Sequence, residues 1–282
     1  MRCSAGYLPL PITLNSDPMK GYQPVLVVFA VLLFSCKKIV TLKLNNVPSA
    51  IVIQGEITSQ PGPYYVTINR PVDFYADNSF PPVSGAAVVI TTNIGLVDSL
   101  VEVSPGVYAT HLIQGFPGLT FNLSVTTGGV NYTASSTMPA PVALDSISYQ
   151  ENNGFGRKQI SAVANFQDPV GVKNYYQFVE TINGVRLSKD LFLFDDRLSD
   201  GRYIDYTLFN DSTYLQQGSA LQMDMYCVDS AVYNYFYQLL QSGGVSSFNT
   251  AASPANPTSN ISNGAYGYFS AHTVSSQTGF VP

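Results

Sequence analysis

The chain has 282 residues with 13 Lys and Arg against 18 Asp and Glu, a formal net charge of -5, and 45% of its residues are hydrophobic. With 19 Tyr, 16 Phe and only 11% charged residues, it is too apolar for an intrinsically disordered chain, and its acidic balance without basic clusters excludes a nucleic-acid partner. No apolar run approaches the roughly 20 residues of a spanning helix, and three cysteines do not make a disulfide scaffold.

The first element in chain order is a targeting segment. Met19-Lys20, the apolar run Val25–Phe34 and the pair Ser35-Cys36 have the basic, apolar and small-residue zones of a secretory signal. Leu33-Phe34-Ser35-Cys36 resembles a bacterial lipobox, in which the cysteine thiol takes a diacylglycerol and the signal is cut just before it. Residues 1–35 are therefore expected to be a signal peptide with Met19 as its true start. Cys36 is the expected lipidation site, anchoring the chain to a membrane through several acyl chains, and residues 36–48 form a tether. Processing leaves Cys227 as a single internal thiol, unable to form an internal disulfide. Leu221, Met223, Met225 and Cys227 alternate, which places all four on one buried strand face.

From residue 49 the pattern is of short strands. Ile51–Ile57, Tyr64–Asn69, Ala86–Thr91, Val97–Val103, Phe121–Thr127 and Val130–Ser135 are rich in Val, Ile, Thr and Tyr. Gly, Pro and Asn clusters separate them, including Pro61-Gly62-Pro63, Asn93-Ile94-Gly95 and the hairpin pair Gly128-Gly129. This spacing predicts an antiparallel sandwich over 49–139.

Met138-Pro139-Ala140-Pro141 reads as a linker, and a second domain is expected over 142–282. Its strands are Gln159–Phe166, Tyr175–Ile182, Val185–Leu187, Tyr203–Phe209 and Leu221–Val228, with Asn183-Gly184 as a hairpin turn. One helix is predicted over 230–242. Asp229 or Ser230 caps it, Val232, Phe236, Leu239 and Leu240 form its apolar face, and Gly243-Gly244 stops it. A Ser, Asn and Pro-rich loop from Ser246 to Asn263 leads to a final strand over Gly264–Phe269. The fold expectation is all-β: two antiparallel, immunoglobulin-like β-sandwich domains, with one α-helix in the second.

The order of these segments resembles the lipoproteins of Bacteroidetes-type bacteria grouped as domain of unknown function 4249. The matching residues are Phe34-Ser35-Cys36, Ile51–Thr58, Pro61-Gly62-Pro63-Tyr64, Pro82–Ala86 with Gly106-Val107-Tyr108, Thr133–Pro139 and the closing Asn260–Phe269. The resemblance implies an outer-membrane lipoprotein beside a TonB-dependent β-barrel transporter, with no established activity. Lys37-Lys38 departs from the acidic residues that usually follow the acylated cysteine of surface-exported lipoproteins, leaving open which face of the outer membrane it occupies. Pro82–Val89 with Gly106-Val107-Tyr108 also resembles immunoglobulin-like modules of the carboxypeptidase-regulatory type, with Gly85 at a bend and Tyr108 packing beneath it.

Residues for chemistry are few. His111 and His272 are the only histidines, without metal-ligand spacing, and read as two isolated surface groups. No nucleophile elbow, HExxH or phosphate loop occurs. The densest acidic stretch, Asp195–Asp205, holds Asp195, Asp196, Asp200 and Asp205 with Arg197 and Arg202 among them. Calcium ligation or a glycosidase-like acid pair is weighed there against a plain hairpin turn at Asp200-Gly201. Tyr175, Tyr176, Tyr233, Tyr235, Tyr237, Tyr266 and Tyr268 suit either a binding surface or sandwich packing. Asp98-Ser99-Leu100, Asp145-Ser146-Ile147 and Asp229-Ser230-Ala231 resemble a short O-glycosylation signal. The expectation is a non-enzymatic protein with no catalytic residues, cofactor or metal, acting as accessory or ligand-capture partner of a transporter. The alternative is a structural or adhesive envelope protein, and the third possibility is a hydrolase using Asp195, Asp196 or Asp200.

Overall fold

Alternation of side chains writes the first sandwich into the chain. In β1 (Val52–Thr58), Ile53, Gly55 and Ile57 are buried while Gln54, Glu56 and Thr58 point to the other face, as period two requires. The structure, a computed structural model, describes residues 50–72, 80–154, 157–187, 191–209, 215–242 and 256–282. The expected signal peptide, Cys36, the tether and Gly243-Gly244 lie outside the described residues.

β1 pairs antiparallel with β2 (Tyr65–Asn69), which pairs with β6 (Val107–Ala109) and through it with β5 (Val101–Ser104). Facing it is a sheet in the order β4 (Val97–Ser99), β3 (Ala87–Thr92), β7 (Thr120–Thr127) and β8 (Val130–Thr137). Ile53, Ile57, Val66 and Ile68 from the first layer meet Val88, Ile90, Phe121, Leu123 and Val125 from the second. The single strand expected over Val97–Val103 divides at buried Leu100: β4 pairs with β3, and β5 pairs with β6 in the opposite layer. The alternation runs on unbroken, so sequence shows one strand where the hydrogen-bond partner changes.

In the second half, β9 (Leu144–Gly154), β10 (Arg157–Gln167) and β14 (Tyr203–Leu208) form one sheet. Opposite it stand β11 (Tyr175–Ile182), β12 (Val185–Arg186), β13 (Phe192–Asp195) and β15 (Ala220–Cys227). β9 and β13 were not expected. β9 carries Ser, Gln, Glu and Asn and is held by a long ladder on β10, while β13 is only four residues. Asn183-Gly184 turns the β11–β12 hairpin with φ 50 and 79, as a type I′ turn needs. Leu221, Met223, Met225 and Cys227 are all buried in the second core.

The last strand differs most from expectation. β16 (Tyr266–Phe280) has 15 residues and continues well past Phe269, because its second half, Ser, Gln, Thr and Gly, carries little apolar signal. Tyr266–His272 runs parallel to β1, and Thr273–Phe280 runs antiparallel to β15. β16 thus joins both halves in one sheet ordered β12-β11-β15-β16-β1-β2-β6-β5, with β13 also on β11. Gly267 is required at this seam: its φ is +95, and a Cβ would stand 2.0 Å from the Ile53 carbonyl oxygen.

The helix α1 (Ser230–Ser242) lies against the outer face of this sheet. Asp229 caps it, its Oδ1 accepting the N–H groups of Ala231 (3.0 Å) and Val232 (2.9 Å). The other oxygen accepts the Ser136 hydroxyl, and Ser136 Oγ accepts the Ala271 N–H at 2.8 Å. Val232 and Tyr233 are buried on Val179, Tyr226 and Val228, with Phe236 packed beside them. Leu239, expected on this face, is 40% exposed; aromatic side chains carry the contact instead. No helix among the described residues is long and apolar enough to cross a membrane.

Candidate functional site

The acidic stretch folds into a turn, but not a hairpin. β13 and β14 flank it in different sheets, so Asp196–Arg202 is a crossover whose polar backbone is held by carboxylates. Asp200 accepts the Gly171 N–H (2.8 Å) and Asp196 accepts the Asn174 N–H (2.7 Å), both from the facing loop. Asp168, which the sequence did not single out, belongs to that facing loop. It accepts the Gly201 N–H (3.0 Å) and the Tyr176 hydroxyl (2.5 Å). Oxygens of Asp168, Asp196 and Asp200 lie within 4.8 Å of one another, donors of the type that suit a hard divalent cation. Each is also a clamp between the two loops, which explains the acidity of this turn structurally.

Asp195 faces away from that trio. Arg197 Nε donates to its Oδ1 (2.6 Å) and the Tyr233 hydroxyl to its Oδ2 (2.7 Å). Burial raises the Asp195 pKa, but these donors outweigh it and hold the carboxyl below its usual range. Asp205 is exposed on β14. The four acids therefore do not converge on one site.

The histidines are not two surface groups. His111 is half exposed, with Nδ1 2.8 Å from Oδ1 of fully buried Asp98, a contact off the geometry of a hydrogen bond. Asp98 Oδ2 accepts three successive backbone N–H groups, from His111, Leu112 and Ile113 (3.0, 2.8 and 3.0 Å). Burial works against ionisation of Asp98, and these donors reverse it, keeping its pKa low. His272 is only 3% exposed. It stacks on Tyr226 (4.5 Å), its Nδ1 meets Ser270 Oγ at 3.0 Å, and Nε2 is buried without a hydrogen-bond partner among the described residues. The covering helix, which alternation along β16 cannot reveal, is why it is inside. Burial drives its pKa down, aided by Arg186 and opposed by Glu56 and Asp229.

Beside that helix the outer face of the β16–β1–β2 sheet stays open. A groove of about 360 Å³ lies over Gln54, Glu56 and Thr58 of β1, Tyr65 and Thr67 of β2, and Tyr268 of β16, with Pro61 and Pro63 at its rim. Glu56 Oε1 accepts the Tyr268 hydroxyl at 2.5 Å. The Tyr268 ring is fixed from behind by Phe236 (4.8 Å) and Tyr235 (5.3 Å). Burial and the Glu56 carboxylate both push the Tyr268 pKa up, so its phenol stays a donor. Tyr65 is 49% exposed. The rim loop is braced by Tyr64, whose hydroxyl donates to the Gln60 carbonyl (2.6 Å) and accepts from Gly115 N–H (3.0 Å). Ile51–Ile57 was expected only as a strand; the structure sets Gln54 and Glu56 on its open face, and nothing in sequence places Tyr65 and Tyr268 around them.

Of the remaining predicted residues, Cys227 is buried and its thiol pKa is raised by burial, so it is held as the inert thiol. Ser99, Ser146 and Ser230 of the three Asp-Ser pairs are exposed. A second hollow of about 560 Å³ lies where Ser259–Ser262 crosses β7 and β8, lined by Thr91, Asn122, Ser124 and Thr133. Ser262 Oγ already accepts the Thr133 N–H there at 2.8 Å.

Comparison with known proteins gives a family match. No curated protein matches the chain. Among solved structures it is similar to a DUF4785 family protein from Legionella pneumophila subsp. pneumophila str. Philadelphia 1, at 12% identity and a TM-score of 0.26. That alignment covers 63% of this chain and 52% of the other, so the chain spans about half the length of that structure. The model of a family described as Domain of unknown function (DUF4249) matches residues 37–278. A match across that much of the sequence means that the chain belongs to the DUF4249 family.

Proposed function

We propose that this protein is a non-enzymatic, lipid-anchored protein of the outer membrane that captures a ligand for a TonB-dependent β-barrel transporter. The observation that carries the capture step is the open groove with exposed Tyr65, Glu56 and the braced Tyr268. Concave sites with aromatic walls and few polar groups are where small ligands bind. The acids that a hydrolase would need are spent otherwise: Asp196 and Asp200 on loop N–H groups, Asp195 on Arg197 and Tyr233. The anchor rests on Leu33-Phe34-Ser35-Cys36. Cross-linking in intact cells followed by detergent extraction should recover a large β-barrel with the wild-type chain. A chain that never cross-links to a barrel contradicts the transport role.

One observation favours the rival, a structural or adhesive envelope protein. Val170 (80% exposed) and Leu198 (92% exposed) crown the two clamped loops and offer apolar tips for docking. Loss of surface attachment, with uptake intact, on replacing both by Ser would favour that role.

A further inference from the structure

The groove's ligand class follows from what its walls can and cannot offer. Its floor is sheet: β1 is paired to β16 over Val52–Thr58 and to β2 over Val52–Gly55, beyond which the Ser59–Tyr64 connection closes the β1–β2 hairpin, while β2 is paired to β6. A peptide cannot add here as a strand, since no free ladder edge is presented. Recognition must come from side chains alone. Among the described residues the lining holds one carboxylate, Glu56, with amides and hydroxyls from Gln54, Thr58, Gln60 and Thr67, and no Lys or Arg. Phosphorylated or carboxylated ligands would meet a like charge there, while the Arg186 guanidinium, whose charge reaches Tyr268, stands outside the lining and engages Tyr226.

What remains is a neutral ligand with many hydroxyls and one apolar face. Planar amide and carboxylate groups pair with neighbouring hydroxyls, and a carboxylate has about four lone-pair positions, of which Tyr268 takes one. Tyrosine rings supply an apolar face with a polar edge. Tyr268 stands opposite Gln54, and Gln54 opposite Thr67, so Tyr268 and the β2 tyrosine rise from strands on either side of β1. Tyr65 lies two residues along β2 from Thr67, so two strand spacings and that offset put the two bases about 12 Å apart, which leaves space for a sugar ring above Gln54 and Glu56. Tyr268 is set before a ligand arrives by Glu56, Tyr235 and Phe236, and the rim loop that leads into Tyr65 is braced by Tyr64.

We propose that this groove binds a neutral glycan, stacking a sugar ring on Tyr65 and Tyr268 and bonding its hydroxyls to Gln54 and Glu56. The assignment rests on the ligand-capture role proposed above and names its ligand class. The test is calorimetric titration of the full chain, extracted in a sugar-free detergent, with maltotetraose, cellotetraose, xylotetraose and chitotetraose. At least one should bind with Kd below about 1 mM. Tyr65→Ala and Gln54→Ala, both changes of exposed side chains, should each weaken it by about tenfold or more. Binding that is unchanged in both variants overturns the assignment. A parallel titration uses tetramethylammonium and a neutral tetrapeptide. If one of these binds and Tyr65→Ala abolishes it while no sugar binds, the glycan class fails and ligand capture stands. If no probe binds, both fail.

Discussion

His272 shows how burial and charge oppose each other in a single side chain. It sits in the interior with Nε2 unpaired among the described residues, and its pKa lies below the ordinary value near 6.5. Between 6.5 and that lower value the unfolded chain binds a proton that the folded chain refuses. Stability therefore falls as the pH drops through this window and levels off beneath it. Asp98 works in the opposite region: its low pKa stabilises the fold above the ordinary value of 3.8, and that gain is lost as pH falls through the folded value. Urea midpoints at pH 7.5 and 5.5 should differ for the wild type and differ less for His272→Phe; equal slopes would remove His272 as the cause. Gly267→Ala makes a second residue-scale prediction. A Cβ 2.0 Å from Ile53 O at φ +95 should cost more than about 3 kcal/mol, read as a large fall in thermal midpoint; a fall of a degree or two would contradict the seam. Neither residue was legible in sequence. His272 is surrounded there by Ser, Ala and Thr, and a glycine's close approach belongs to a strand more than two hundred residues away.

At the scale of elements, alternation and turn residues carried most of what could be read. Ile51–Ile57, Tyr175–Ile182 and the helix over 230–242 lie where their patterns put them. The failures share a cause: β9, β13 and the second half of β16 are polar or short, and are strands because a neighbour supplies a ladder. The helix is held by one residue as much as by its aromatic face. Asp229 caps it and grips Ser136, which in turn holds the β16 backbone at Ala271. Asp229→Ala should cost about 1–2 kcal/mol from the cap alone, and more because Ser136 loses its partner. Asp229→Asn, which keeps an acceptor, should recover most of it. Chemical denaturation followed by far-ultraviolet circular dichroism measures both, and equal losses in the two variants would contradict the capping role. The groove was only half legible: β1 could be read as a strand, whereas its tyrosine walls required the parallel register of β16 on β1.

For the whole molecule, the decisive feature is that β16 serves two hydrophobic cores. Phe269 and Ala271 pack into the first, and Val281, just past its end, into the second. The body is thus a continuous sheet with two facing layers, and its outer face carries both the helix and the groove. An acidic, sparsely charged body of this kind needs no membrane-spanning helix if residue 36 supplies the anchor. That anchor is the central claim, since capture for a barrel transporter requires the body to be held at the outer membrane. The direct measurement is the intact mass and amino-terminal sequence of the chain from separated membrane and soluble fractions, beside Cys36→Ser. A mature chain beginning at Cys36, heavier by its acyl groups, confined to the outer membrane and released by Cys36→Ser is the predicted result. An unacylated chain in the soluble fraction, or one that keeps residues 19–35, would contradict the account.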